Sequence, residues 1–198
     1  NFCTTPPAVI VTGLMGDPTD LIAALEQKQI AVYYVSSLAS FIGAHHIDSI
    51  APQMVINMAH GRMGDAIVDF LAQKNIPLLA PLNTNRLDSE WEADKQGMSG
   101  GFMSQSIVTP EIDGAIRPYT LFAQRMNGDI REAYTIPDRL SDFTQTVCNY
   151  LNLKQKKNAD KKVAIVYFKG PGQAALTASG MEVVPSLYNM LVALRTAG

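Results

Sequence analysis

The sequence has few cysteines, little charge, and no long apolar run. Two cysteines, Cys3 and Cys148, stand far apart in 198 residues, which excludes a disulfide framework and a paired-cysteine zinc ribbon. Cys148 falls in a helical stretch and reads as a buried free thiol. Charged residues make up 17% of the chain, with 16 Lys and Arg against 18 Asp and Glu, a net charge of -2. Without a basic stripe there is no electrostatic footprint for nucleic acid. No apolar run approaches the roughly 18 residues of a membrane span. The 47% hydrophobic share is ample for a core and excludes intrinsic disorder. Catalytic signatures are missing as well: there is no GxSxG, HExxH or paired CxxC. The chain opens Asn1-Phe2-Cys3 without a signal-peptide pattern and closes at Ala197-Gly198, so it reads as a piece of a longer polypeptide.

What is present is a run of alternating strands and helices. Ala8–Thr12 reads as a buried strand, and Asp17-Pro18 as a helix start with Leu21, Ile22 and Leu25 facing inward. Strands at Ala31–Val35, Gln53–Asn57 and Ile76–Ala80 follow, with a helix over Leu38–His46 and another carrying Met63, Ile67, Phe70 and Leu71. This order predicts an α/β fold, a parallel-sheet flavodoxin/Rossmann-like β-α-β-α unit with helices on both faces. Residues 86–136 read as an irregular insertion: a short helix at Glu90-Trp91, strands at Ser106–Thr109 and Tyr119–Arg125, and a β-hairpin through Asn127-Gly128-Asp129 into Ile130–Thr135. A helix from Pro137 presents Leu140, Phe143, Val147, Tyr150 and Leu151 on one face. The domain reading is 1–153 for the α/β domain, 154–162 for a Lys-rich linker, and 163–198 for the start of a second α/β unit, with a strand at Val163–Phe168 and a helix at Glu182–Ala197.

Ligands of such sheets bind beyond the carboxyl ends of the strands, which singles out Gly13–Asp17, Ser36-Ser37, Asn57–Gly64 and Pro81–Asn85. Asn57, His60 and Arg62 follow a strand there, and an imidazole in that place can exchange protons or serve as an axial ligand. The alternative is a polar loop that caps the next helix. His45-His46 offers imidazoles, but neighbours on a helix point about 100° apart and no acid or thiol completes a set. Lys169-Gly170-Pro171-Gly172 suggests a phosphate cradle, yet it matches neither GxGxxG nor GxxxxGK[ST]. Glu111 and Asp113, two residues apart, would share a face if extended and could take protons or hold a cation. A turn with Asp before Gly is the competing reading.

From Glu90 onward the landmarks fall in a recognisable order: Glu90-Trp91, then Ser106-Ile107-Val108-Thr109-Pro110-Glu111-Ile112-Asp113-Gly114, Ile136-Pro137-Asp138-Arg139, and Lys161-Lys162-Val163-Ala164. This resembles the CobN-type large subunit of the cobaltochelatase and magnesium-chelatase family, with its Glu-Trp, Pro-Glu-Leu-Asp-Gly and Pro-Asp-Arg elements. The resemblance implies a segment of a tetrapyrrole chelatase subunit that binds the macrocycle and contributes to metal insertion or removal. The parent would be a ligase forming metal–nitrogen bonds, while the segment alone, ending inside a βαβ unit, would be inactive. Glu111 and Asp113 become candidate catalytic carboxylates, because metal insertion releases two pyrrole protons that need acceptors. Asn57, His60, Arg62 and Trp91 become candidate tetrapyrrole-binding residues. The implied substrates are a tetrapyrrole and a divalent metal (Co, Mg or Fe), with no resident cofactor in the segment itself. The implied partners are the rest of the parent chain and AAA+ subunits that use ATP. The family default is a cytoplasmic setting, such as cobalamin biosynthesis. Residues 170–182 depart from the family pattern, which fits a divergent branch that handles haem, with a cell-envelope or periplasmic setting. A non-catalytic haem-binding module, a haem-demetallating relative and a flavodoxin-like small-molecule domain are the alternatives.

Overall fold

A computed structural model describes residues 6–44, 46–166 and 182–198. The chain divides into two compact units, Asn1–Leu151 and Asn152–Gly198.

The first unit is built on a mixed sheet. In chain order its elements are β1 (Ala8–Thr12), α1 (Thr19–Gln27), β2 (Ala31–Val35), α2 (Leu38–Gly43), α3 (His46–Ile50), β3 (Met54–Asn57), α4 (Asp65–Gln73) and β4 (Leu78–Leu87). Then come α5 (Asp88–Ala93), α6 (Gly100–Met103), a π-helix (Ser104–Val108), α7 (Thr109–Ile112), β5 (Ala115–Asn127), β6 (Ile130–Thr135) and α8 (Pro137–Gln155), which belongs to this unit as far as Leu151. The strands lie in the order β2-β1-β3-β4-β5-β6, parallel from β2 to β5 and antiparallel at β6. The expected α/β fold is therefore present.

Strand alternation sends side chains to opposite faces, and both faces are covered. Val9 and Val11 of β1, Met54 and Ile56 of β3, and Leu79 of β4 pack with Leu21 and Leu25 of α1 and with Phe143, Val147 and Leu151 of α8. Ile10, Val55 and Leu78 face the other way, onto Leu38, Ile47, Ile67 and Leu71 of α2, α3 and α4. Burial on both faces is why β1 and β3 read as unbroken apolar runs.

Three expectations are corrected. Ser106–Thr109 is helical, not a strand: the chain runs from α6 through the π-helix into α7, and the Thr109 hydroxyl donates to the Ser104 carbonyl at 2.8 Å. Pro110 has no N–H to give inside that run, and the Thr109 N–H just before it reaches back five residues to the Ser104 carbonyl. The strand expected to end at Ala80 continues to Leu87, because Pro81, Leu82 and Asn83 pair with Tyr119, Thr120 and Phe122 of β5. The helix expected over Leu38–His46 is split into α2 and α3. The expected hairpin is present as β5–β6, and it is continuous with the main sheet: β5 is the fifth parallel strand, and its far end pairs back with β6.

In the second unit α9 spans Val183–Ala197. Val163–Val166 carry no strand pairing among the described residues. Cys3, His45 and the Lys169–Gly172 loop lie outside the described residues. Cys148 is a half-buried free thiol on α8, packed at the margin of the core.

Candidate functional site

A sheet ordered β2-β1-β3 has its topological switch between β1 and β3, where ligands of doubly wound folds usually enter. Here that crevice is closed by the chain itself. Gly13 sits at φ +93°, and a Cβ on it would lie 2.4 Å from the Met58 carbonyl carbon and 2.5 Å from the Ala59 nitrogen. Met58 N–H donates to Thr12 O at 2.7 Å, and Met15 N–H donates to Met58 O at 2.9 Å. The start of α1 is occupied too. The Asp17 carboxylate accepts from the Thr19 hydroxyl at 2.6 Å and the Thr19 N–H at 2.9 Å. These two bonds, the hydroxyl's first, hold the Asp17 carboxyl below its ordinary range. An incoming anion would meet a negative charge where the helix start normally attracts one.

The accessible surface lies further along, where the β3–α4 loop and the extension of β4 meet the helical segment 100–112. Asn57 is buried and its Oδ1 accepts from Ala59 N–H at 3.1 Å, which shapes the turn leading to His60. His60 is exposed; its Nδ1 is 3.5 Å from the Oγ of buried Ser106, and its ring meets Phe102 edge-on at 6.2 Å. A shallow cleft with a cavity volume of about 10 Å³, room for about one water, lies here, lined by Asn57, His60, Asn83, Ser106 and neighbours. Asn83 is fixed by donating to Met15 O at 3.2 Å.

Asp113 anchors the far end of the helical segment. Its side chain has no exposed surface, and it accepts from Arg62 Nε and from the Met63 N–H at 2.5 Å. Arg62 also pairs with Asp65 at 2.7 Å. Its guanidinium is held charged above the ordinary range, first by the bond to Asp113. Glu111 is exposed on α7 while Asp113 is the residue that ends that helix. The expected shared extended face for Glu111 and Asp113 is therefore corrected: helical positions two apart point about 200° away from each other, and only Asp113 turns inward.

Trp91 stands on α5, beside a second, larger cleft of about 80 Å³ lined by Thr84, Arg86, Trp91, Asp94, Met98 and Phe102 among others. The Arg139 guanidinium lies over the indole at 5.2 Å and over the Tyr119 ring at 4.3 Å, and its Nε donates to Thr120 O. Tyr119 in turn packs on Phe143 of the core at 5.7 Å. This stack ties the cleft wall to the sheet. Arg86 Nη1 donates to Asp94 Oδ2 at 2.6 Å. The Gln96 N–H and then Arg86 keep the Asp94 carboxyl below its ordinary range.

Phe102 borders the Trp91 cleft and touches His60, so the segment 98–113 joins the two clefts. The structure thus brings Asn57, His60, Arg62 and Asp113 into one neighbourhood and links Trp91 to it through Phe102, while Glu111 stands apart. Ser106, Phe102 and Arg86 were not singled out as site residues by the sequence. Asn83 lies in the strand-end segment Pro81–Asn85, which the sequence did single out. Ser106 was hidden by being read as a strand, and Arg86 has no local signature. Among the described residues no three His, Cys, Asp or Glu side chains converge on one point. Nor is any described helix long and apolar enough to cross a membrane.

Comparison with known proteins supplies the family. A magnesium-chelatase subunit of Rhodobacter capsulatus is 29% identical over 154 residues, which cover 68% of this chain and 13% of that protein. An uncharacterised protein of Methanocaldococcus jannaschii is 27% identical over 138 residues, 66% of this chain and 11% of its own length. The catalytic subunit of cobaltochelatase from Mycobacterium tuberculosis shares the fold, with a TM-score of 0.78 at 21% identity over 98% of this chain and 18% of that one. The chain thus spans between 11% and 18% of the length of these relatives. The family described as CobN/Magnesium Chelatase matches residues 6–198, and the chain belongs to it.

Proposed function

We propose that this chain forms part of the macrocycle-binding portion of a tetrapyrrole metal chelatase subunit, and that the joined clefts around His60 and Trp91 are its binding surface. The observation that carries the reading is the family match across residues 6–198, on a chain whose usual ligand crevice is closed but whose neighbouring strand-end face is open and aromatic. Trp91 and Phe102 provide flat apolar surface for a planar ring. His60, with Nδ1 toward Ser106, can present Nε2 to a metal or a pyrrole nitrogen. Asn57 shapes that turn, and Arg62, tied to Asp113, holds the loop. Glu111, exposed on α7, is the candidate acceptor for protons released as a divalent metal enters; Asp113 is assigned the positioning of the loop. The metal is a substrate in this reading, and ATP is used by partner subunits in a cytoplasmic complex.

Titration with haem and with metal-free porphyrin, followed in the Soret band, tests this directly. Saturable binding is expected, with His60→Ala weakening it about tenfold, the worth of one good polar or ligating contact. No Soret change with either macrocycle would overturn the reading. In the full-length parent, Glu111→Gln is expected to slow metal exchange about tenfold while leaving macrocycle affinity unchanged. Exchange at the wild-type rate would remove Glu111 from the chemistry.

A further inference from the structure

The Trp91 cleft has a feature that stacking alone does not explain: a guanidinium and a carboxylate at its rim, paired with each other. Its volume of about 80 Å³ is well below that of a pocket that encloses a whole small-molecule ligand. That is room for one edge of a large planar macrocycle rather than for all of it. Trp91, Met98 and Phe102 make the apolar walls, with Thr84 and Arg86 on the polar side. Arg139 takes one face of the indole and is pinned to Thr120 O, so the ring is held as a fixed wall for whatever enters.

Arg86 is placed by the chain around it. Its N–H donates to the Thr84 hydroxyl and its carbonyl accepts from the same hydroxyl, both at 3.3 Å. Its side chain is 51% exposed at the cleft, and Asp94 holds it through Nη1. Asp94 in turn is oriented by the Gln96 N–H at 2.9 Å. A guanidinium fork carries five donors in a plane suited to a carboxylate, so Asp94 occupies the place that a ligand carboxylate of the same chemistry would take.

We propose that the Trp91 cleft receives a carboxylate-bearing edge of the macrocycle, and that Arg86 is its specificity-determining residue, exchanging Asp94 for the ligand's carboxylate. This rests on the macrocycle reading above and adds the chemical class of the substituent. The pair then acts as a gate on ligand charge. An acidic edge recovers the bond that Arg86 gives up, whereas a neutral edge leaves Arg86 with Asp94 and gains only the apolar walls.

Trp91 is the single tryptophan of the chain, so tryptophan emission reports on this cleft. A metal-free porphyrin dicarboxylate and its dimethyl ester are titrated separately against the 198-residue protein. The acid is expected to bind about tenfold tighter than the ester, the ratio a charge-assisted bond supports. Arg86→Gln is expected to abolish that preference. Asp94→Asn, which removes the competing charge, is expected to tighten the acid several-fold and leave the ester unchanged, and it serves as the test should Arg86→Gln fail to fold. Equal binding of acid and ester by the wild-type protein overturns the carboxylate role and leaves the macrocycle reading standing. A preference that persists in Arg86→Gln overturns the assignment to Arg86. Quenching by neither compound overturns the macrocycle reading itself.

Discussion

Gly13→Ala is expected to be the most damaging small substitution in the first unit, lowering stability by about 3–5 kcal/mol. Two costs add. Gly13 has φ +93°, a conformation that strains any residue with a Cβ by about 1–3 kcal/mol. The new methyl would also fall 2.4 to 2.8 Å from three backbone atoms of Met58 and Ala59, and forced overpacking costs about 1–3 kcal/mol more. Neighbouring backbone cannot swing aside as a side chain can, because Met58 is bonded to Thr12 and Met15 on the facing loop. For a domain of this size the melting temperature would fall on the order of 10 °C. Thermal denaturation followed by circular dichroism measures it. A variant that melts with the wild type would contradict the closed β1–β3 crevice on which the placing of the site depends.

Asp113→Ala is expected to cost about 2–4 kcal/mol and to loosen the site. The carboxylate is fully buried and accepts from both Arg62 and the Met63 N–H. Truncation leaves the half-buried Met63 donor without its acceptor, at a cost of up to about 1–3 kcal/mol in addition to the charge-assisted bond lost. The Arg62 side of the pair is 44% exposed, so water and Asp65 take up part of that loss. The consequence for function is local: the loop 58–64 and the segment 100–112 are no longer held together at that end. Exchange of the Met63 amide is expected to accelerate about a hundredfold, the equivalent of roughly 3 kcal/mol of local stability. Unchanged Met63 protection in a folded variant would show that Asp113 does not hold the loop.

The sheet was legible because its strands are short apolar runs between turn signals. Ala8–Thr12 and Met54–Asn57 are buried on both faces, and the spacing of Leu140, Phe143 and Val147 announced α8. Two kinds of element were not legible. Ile107-Val108-Thr109 is β-branched and reads as a strand, but its backbone is satisfied by a π-turn and by Thr109 bonding to Ser104. Burial of Ser106 and Pro110 against the strand ends outweighs local propensity there. The extension of β4 through Asn83 and Thr84 reads as loop because it is polar. It becomes strand because β5 pairs beside it, with register shifts that mark an irregular ladder.

The site was legible in position more than in partnership. The rule that ligands gather at strand carboxyl ends pointed to Asn57, His60 and Arg62, and all three lie there. What holds them is not local in sequence. Arg62 and Asp113 are 51 residues apart, His60 and Ser106 are 46 apart, and Trp91 meets Arg139 from another element. No spacing rule for a helix or a strand reaches such pairs. The two carboxylates Glu111 and Asp113 looked equivalent in sequence. The helical turn separates them into a buried anchor and an exposed acid, a difference that only the backbone conformation decides.

The proposed macrocycle face is formed by residues 57–64, 84–91 and 98–113. Amide hydrogen exchange of the protein with and without a saturating metal-free porphyrin, resolved along the chain, reads that face out segment by segment. The predicted result is added protection in those three segments, with β1, β2 and α9 unchanged. Protection elsewhere, with those three segments unaltered, would contradict the placing of the macrocycle on this face.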